Sequence, residues 1–291
     1  MIQDQAQKLR ELYQRLLDNN NEKTTKVVSI TSGKGGVGKS NFALNFALGL
    51  IESGQKVVLI DLDIGMANLD VLLGMTVKFN LIDMVNQKKS IWDVIEKGPN
   101  GLELLSGGNG FSEILHLSDD DTNYLFKELE KLHGYADVVL IDTGAGLSKE
   151  SQRCHLAADE IILVTTPEPT AITDAYSVIK ILHHQVPNLH FKLVVNRVEN
   201  SKEGIAIANR VRTVTKQFLK KEIEILGFIP NDSIVFQSVM EQAPFSLKYP
   251  KSQAAKWIRD IVNIYLNVNH KSAQFTGIKG FIQKISRFGK S

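Results

Sequence analysis

The sequence predicts an α/β fold, a mostly parallel twisted sheet with helices on both faces. Three observations carry that prediction. Short β-branched runs alternate with longer helical patterns, a glycine-rich loop joins the first run to the first helix, and carboxylates close two of the runs. The runs that read as strands are Val27–Thr31, Val57–Asp61, Leu102–Leu105, Val138–Asp142, Ile161–Thr165, Phe191–Asn196 and Ile225–Ile229. Helical stretches at 41–52, 122–133, 170–185 and 203–220 separate most of them. Parallel strands joined by helical crossovers give that alternation.

The chain starts differently. Ile2, Ala6, Leu9, Tyr13, Leu16 and Leu17 recur at helical spacing, so residues 2–17 read as an amphipathic helix. The polar stretch 18–23 reads as a linker. At the other end, 270–276 is polar and a second amphipathic pattern runs from Gly277 onward. The expected organisation is therefore an N-terminal helix and linker at 1–23, one nucleotide-binding domain at 24–268, and a linker with a C-terminal helix at 269–291.

Composition limits the function classes. A chain of 291 residues with a formal charge of +2 has no overall basic character to hold nucleic acid. Cys154 is the single cysteine, which excludes an intrachain disulfide and argues against a cysteine-rich metal site. No apolar run approaches the roughly 20 residues that span a bilayer, and the opening residues carry no apolar signal core. The expected setting is cytoplasmic, with peripheral contact to the inner face of the membrane.

The chemistry concentrates after the first strand. Gly33-Lys34-Gly35-Gly36-Val37-Gly38-Lys39-Ser40 matches G-x-x-x-x-G-K-[ST] and lies between a strand and a good helix, the setting that this pattern requires. Glycines let backbone N–H groups turn inward around phosphates, and the helix N-terminus adds its dipole. Lys39 would contact the β- and γ-phosphates, the Ser40 hydroxyl would ligate Mg²⁺, and Asn41 would follow them into the site. The domain is thus expected to be a single P-loop NTPase unit. Lys34, at the second loop position, points away from its own nucleotide more easily than toward it and could reach a γ-phosphate in a facing subunit.

Two carboxylate motifs fall at strand ends, the edge of a parallel sheet where ligands bind. Asp61 and Asp63 close the second strand, and Asp142 closes the fourth with Thr143 and Gly144 behind it. Asp142 is the candidate to hold Mg²⁺ through water, Asp61 to support the same shell, and Asp63 to position the attacking water. Since phosphoryl transfer asks little covalent chemistry of a protein, positioning and charge neutralisation should dominate. Asn196-Arg197 and Pro230-Asn231 close two late strands and are the candidates for the base.

The loop reading K-G-G-x-G-K-[ST] resembles the MinD/ParA group of deviant Walker ATPases. That resemblance implies a signature lysine acting across an ATP sandwich dimer, the second Asp of D-x-D-x-G as water-positioning residue, and Asn196 reading adenine with Pro230 and its neighbours packed on it. It extends through Pro167-Glu168-Pro169-Thr170-Ala171-Ile172-Thr173-Asp174-Ala175-Tyr176 to the tail. Bridging an iron–sulfur cluster between subunits takes more than one cysteine each, which excludes those branches. No long basic run marks 26–268, which disfavours a ParA-type DNA-partition role.

At 100° per residue, Ile278, Phe281, Ile282, Ile285 and Phe288 fall within an arc of about 120°, while Lys279, Lys284, Arg287 and Lys290 occupy the other side. This pattern suits insertion into an anionic membrane interface, and a helix docked on the core is the alternative. MinD-like proteins carry a membrane-targeting helix here. The opening Asp4-Gln5-Ala6-Gln7-Lys8-Leu9-Arg10 is similar to the D-Q-A-x-x-L-R motif of the flagellar number regulators FlhG (FleN/YlxH). That resemblance implies stimulation of the SRP-type GTPase FlhF by Asp4, Gln5, Leu9 and Arg10; packing of this helix on its own domain is the alternative. It also implies contact with flagellar C-ring components and an ATP-bound homodimer. A MinD-type septum-site ATPase is the rival.

Overall fold

The computed structural model describes residues 24–63, 69–108, 117–269 and 276–288, the side chains of 268, 269 and 288 apart. All the expected strands form: β1 (Lys26–Ser32), β2 (Val57–Leu62), β4 (Glu103–Ser106), β5 (Val138–Thr143), β6 (Glu160–Thr165), β7 (His190–Val198) and β8 (Glu224–Pro230). A further strand, β3 (Glu96–Lys97), pairs antiparallel with β4 at one edge. Two residues are too few to show a period, so the sequence gives no sign of it. The sheet order is β3-β4-β2-β5-β1-β6-β7-β8, with every pair but the first parallel.

Strands buried on both faces need apolar residues at successive positions, and the central ones have them. Alternate side chains serve opposite layers. Val28 and Ile30 pack with α1 (Lys39–Glu52) and α11 (Gln253–Asn269), whereas Val27 belongs to the other face. There α5 (Asp119–Glu130) and α6 (Lys149–Ala157) lie over one half of the sheet. Helices α7 (Pro169–Gln185) and α8 (Ser201–Leu219) cover the other half. Shorter helices complete the chain: α2 (Leu69–Leu73), α3 (Leu81–Asn86), α4 (Ile91–Val94), α9 (Ser233–Met240) and α10 (Phe245–Lys248).

The sequence reading assigns no helix to α6 or α11. In α6 the segment Lys149–Ala157 has few apolar residues, and its start is set by the Ser148 hydroxyl accepting from the Ser151 N–H at 3.1 Å. The α11 pattern was legible: Ala254, Ala255, Ile258, Ile261, Val262 and Tyr265 recur at helical spacing and are buried.

The C-terminal helix α12 (Gly277–Phe288) docks on the core in this structure, the alternative that the sequence leaves beside membrane insertion. Ile278, Phe281 and Ile285 are buried and Ile282 is partly so, all within the core layer shared with α5, α6 and β1. The Phe288 side chain lies outside the described residues, as do residues 1–23 with Asp4, Gln5, Leu9 and Arg10. The physical reason is that an amphipathic stripe is satisfied by any apolar surface, and a groove on its own domain is the nearest. Among the described residues no helix is long and apolar enough to cross a membrane.

Candidate nucleotide site

Seven strands of the sheet deliver their C-terminal ends to one edge, and the predicted residues meet there. β1 ends at Ser32, whose hydroxyl donates to the Lys34 carbonyl at 2.9 Å and starts the loop turning. A Cβ at Gly33 would lie 2.4 Å from the Asp174 backbone of α7, so the loop sits flush against that helix. Gly38 has φ +88°, and a Cβ there would strike the Asn196 side chain. Gly38 opens α1 without any side-chain cap, which leaves the first N–H groups of the helix free for an anion.

Lys39 is buried beside Asp142, with Nζ 2.7 Å from Oδ1 and 3.6 Å from Asp63 Oδ2. Burial raises the Asp142 carboxyl above its usual range, opposed by the charge and hydrogen bond of Lys39 and by the Ser40 hydroxyl. Asp142 Oδ2 has no hydrogen-bond partner. An orphaned carboxylate oxygen beside a serine hydroxyl and an uncapped helix suits Mg²⁺ bound together with a phosphate chain. The donor set thus fits MgATP.

Asp63 borders a cavity of about 170 Å³ with Thr143, Gly144, Ala145 and Ser148. Asp61, expected to support the Mg²⁺ shell, accepts from the backbone N–H groups of Asp63 at 3.0 Å and Leu69 at 3.2 Å. It thereby ties Asp63 to the start of α2, while residues 64–68, with Ile64 and Gly65, lie outside the described residues.

Lys34 leaves its own phosphate cradle. Its Nζ lies 2.5 Å from Glu168 Oε2 and 3.4 Å from Thr170 Oγ1, at a rim open to water. The Lys34 hydrogen bond and charge hold the Glu168 carboxyl below its usual range. Within the 167–176 motif the sequence assigns Glu168 no task, because no local pattern pairs residues so far apart as Lys34 and Glu168.

A larger cavity of about 550 Å³ adjoins the loop. Gly38 and Asn41 line one side, Asn196 and Arg197 another, and Pro230 and Asn231 a third, so the base-binding candidates converge. Asn196 Nδ2 donates to the Val37 carbonyl at 2.8 Å and its Oδ1 accepts from the Arg197 N–H, which ties β7 to the phosphate loop. Arg197 has φ +60°, at a register irregularity between Val195 and Val198. Strained non-glycine backbone of this kind concentrates at functional sites. The α9 residues Phe236 and Val239 also line the cavity, and the sequence reading missed them.

Beneath the loop, His155 is buried with Nδ1 2.8 Å from Ser29 Oγ. Burial, with the Lys39 charge, lowers its pKa to about 3, so the imidazole is neutral at physiological pH. The positive charge at this point is then that of Lys39.

Comparison with known proteins gives the same outline. The ParA family model, described as NUBPL iron-transfer P-loop NTPase, matches residues 23–265. Antiactivator FleN of Pseudomonas aeruginosa is 35% identical over 79% of this chain and 82% of that protein. Flagellum site-determining protein YlxH of Helicobacter pylori is 34% identical, covering 92% of both. The septum site-determining protein MinD of Pyrococcus horikoshii, solved with Mg-ADP, superposes with a TM-score of 0.67 at 26% identity. That match covers 86% of this chain and 100% of the other. The iron transfer in the family description finds a single cysteine here, Cys154, which is buried.

Proposed function

The chain belongs to the ParA/MinD family of P-loop ATPases, and from that premise we propose an ATP-driven dimerisation switch that regulates flagellar number and placement. The observation that carries the reading is the position of Lys34. It is exposed at the loop rim on a reversible ion pair with Glu168, away from its own cradle. A cation so placed serves a phosphate bound in a facing copy. The flagellar output is supported by the similarity to FleN, 35% identical, and to YlxH, 34% identical over 92% of this chain; MinD proteins run from 28% to 34%, the last over 78% of this chain.

In this scheme the loop N–H groups and Lys39 hold the phosphates, and Ser40 and Asp142 would hold Mg²⁺, which would supply charge neutralisation for the phosphates. Asp63 holds the attacking water in the adjoining cavity, while Asp61 fixes the Asp63 backbone by accepting its N–H. Asn196, Arg197, Pro230 and Asn231 take the adenine. Two facing copies each lend Lys34 to the other's γ-phosphate.

Asp142 leads through Gly144–Ser148 directly into α6, and α12 lies along α6, where Lys284 Nζ reaches the Ala157 carbonyl at 3.4 Å. A loop that responds to the γ-phosphate therefore moves the surface on which α12 docks. Released helices insert Ile278, Phe281, Ile282, Ile285 and Phe288 into an anionic membrane. The N-terminal helix acts on the GTPase FlhF, and C-ring components are further partners.

FlhF turnover tests the branch. Adding the full-length chain to FlhF and GTP should raise GTP hydrolysis several-fold, and a chain with Asp4, Gln5, Leu9 and Arg10 all changed to Ala should not. Equal rates with both proteins would remove FlhF from the scheme and favour a septum-site role.

A further inference from the structure

We propose that Phe236 is a base-capping residue, an aromatic plate that closes over the heteroaromatic base of the bound nucleotide. The inference rests on the nucleotide-site reading and adds to it a residue that the phosphate motifs do not touch.

The backbone fixes where this ring can be. β8 ends at Pro230, and α9 starts at Ser233 under a cap from Asp232, whose Oδ1 accepts from the Ile234 N–H at 3.0 Å. Its other oxygen accepts from the Ala254 N–H of α11 at 3.2 Å, so the start of α9 is pinned at both carboxylate oxygens. One turn later Phe236 lines the 550 Å³ cavity that Gly38 and Asn196 also line.

Phe236 is 71% exposed although it lines a cavity. An apolar ring of that exposure is covered when a flat π-system slides between it and the far wall. The remaining wall divides the labour. Asn41, Asn196 and Asn231 offer hydrogen bonds, whereas Phe236 and Val239 on α9 offer none. Stacking is tolerant of base identity, because every base has a π-face. Phe236 therefore supplies affinity for any nucleobase, and the amide-bearing side supplies the choice among bases.

Three ligands separate this role from the others: MgATP, MgADP and magnesium tripolyphosphate, the last lacking a base. Dissociation constants are measured on the full-length protein as wild type, Phe236→Ala, Phe236→Tyr and Lys39→Ala. Loss of one stacked base predicts that Phe236→Ala weakens ATP and ADP by about tenfold. Tripolyphosphate should bind this variant as it binds wild type, and Phe236→Tyr should restore both nucleotides to within about twofold. GTP, tested alongside, should lose as much as ATP on Phe236→Ala.

Unchanged ATP and ADP binding by Phe236→Ala would overturn the proposal, with the phosphate site intact if Lys39→Ala still weakens all three ligands. A parallel loss of tripolyphosphate would also overturn it, because the substitution would then be acting on the fold of the site. If wild type and Lys39→Ala bind all three ligands equally poorly, the nucleotide site itself is wrong and the cap falls with it.

Discussion

Lys26 and Lys192 enter the sheet from its N-terminal edge, far from the phosphate chemistry, and both are buried. Glu160 lies between them, 2.6 Å from Lys26 and 3.6 Å from Lys192, and Glu224 meets Lys192 at 2.9 Å. Both ammonium groups approach the face of the Tyr265 ring, at 4.9 and 5.2 Å from its centroid. Burial lowers the Lys26 pKa from 10.5 to about 8, only partly offset by Glu160. The sign follows from proton counts. Between about pH 8 and 10.5 the unfolded chain holds the proton that the folded chain has lost, so stability rises with pH across that window. Below pH 8 the penalty is present in full. Urea unfolding at pH 7.5 and 9.5 should show wild type gaining on the order of 1–2 kcal/mol relative to Lys26→Met. A difference between the two proteins that stays constant with pH would show that Lys26 keeps its proton when folded.

At the scale of the element, the first turn of α12 is held by one side chain. Asp159 Oδ1 accepts from the Thr276 N–H and hydroxyl, each at 2.9 Å, and from the Gly277 N–H at 3.2 Å. Its Oδ2 accepts from the Val27 N–H of β1 at 3.0 Å, which locks the helix start to the central strand. Gly277 is required there, with φ +60° and a Cβ position 2.8 Å from Thr24. Losing such a cap removes about 1 kcal/mol or more from the docked helix. In Asp159→Ala, amide exchange across 277–288 should speed up by roughly tenfold while the α1 amides stay protected. Unaltered exchange in α12 would mean that Ile278, Phe281 and Ile285 hold the helix without help. This element also marks how far the sequence could be read. The placing of the phosphate loop, Asp61, Asp63 and Asp142 at one sheet edge was legible, because each motif is local and sits at a strand end. The strands were legible because parallel sheets demand unbroken apolar runs. The fate of α12 was not, since Ile278, Phe281 and Ile285 write the same stripe for lipid as for a groove. Glu168 under Lys34 and Phe236 over the base cavity are pairings across the fold, for which no local period exists.

For the whole molecule, two demands meet on one helix. Docked on α6, α12 buries three large side chains, each worth about 1.5–3 kcal/mol before ordering costs. Lipid offers the same face a similar gain, so a single chain has little reason to exchange one for the other. The proposed dimer would change the balance, because two helices on one particle bind a surface with high effective concentration. In the proposed dimer the ion pair between Lys34 and Glu168 would be given up at little cost, both side chains being in contact with water. Nucleotide state should therefore control membrane binding through assembly, with Lys34 as the point of control. Sedimentation with anionic vesicles tests this on the full-length protein. Wild type should pellet with a non-hydrolysable ATP analogue and stay in solution with ADP. Lys34→Ala should stay in solution with either, while still binding the analogue to its own loop. Asp63→Ala should pellet with ATP itself and remain there, since assembly would persist without hydrolysis. Pelleting of Lys34→Ala to the wild-type extent, or a wild-type protein that remains monomeric in velocity sedimentation when saturated with the analogue, would break the link between the loop lysine and the membrane.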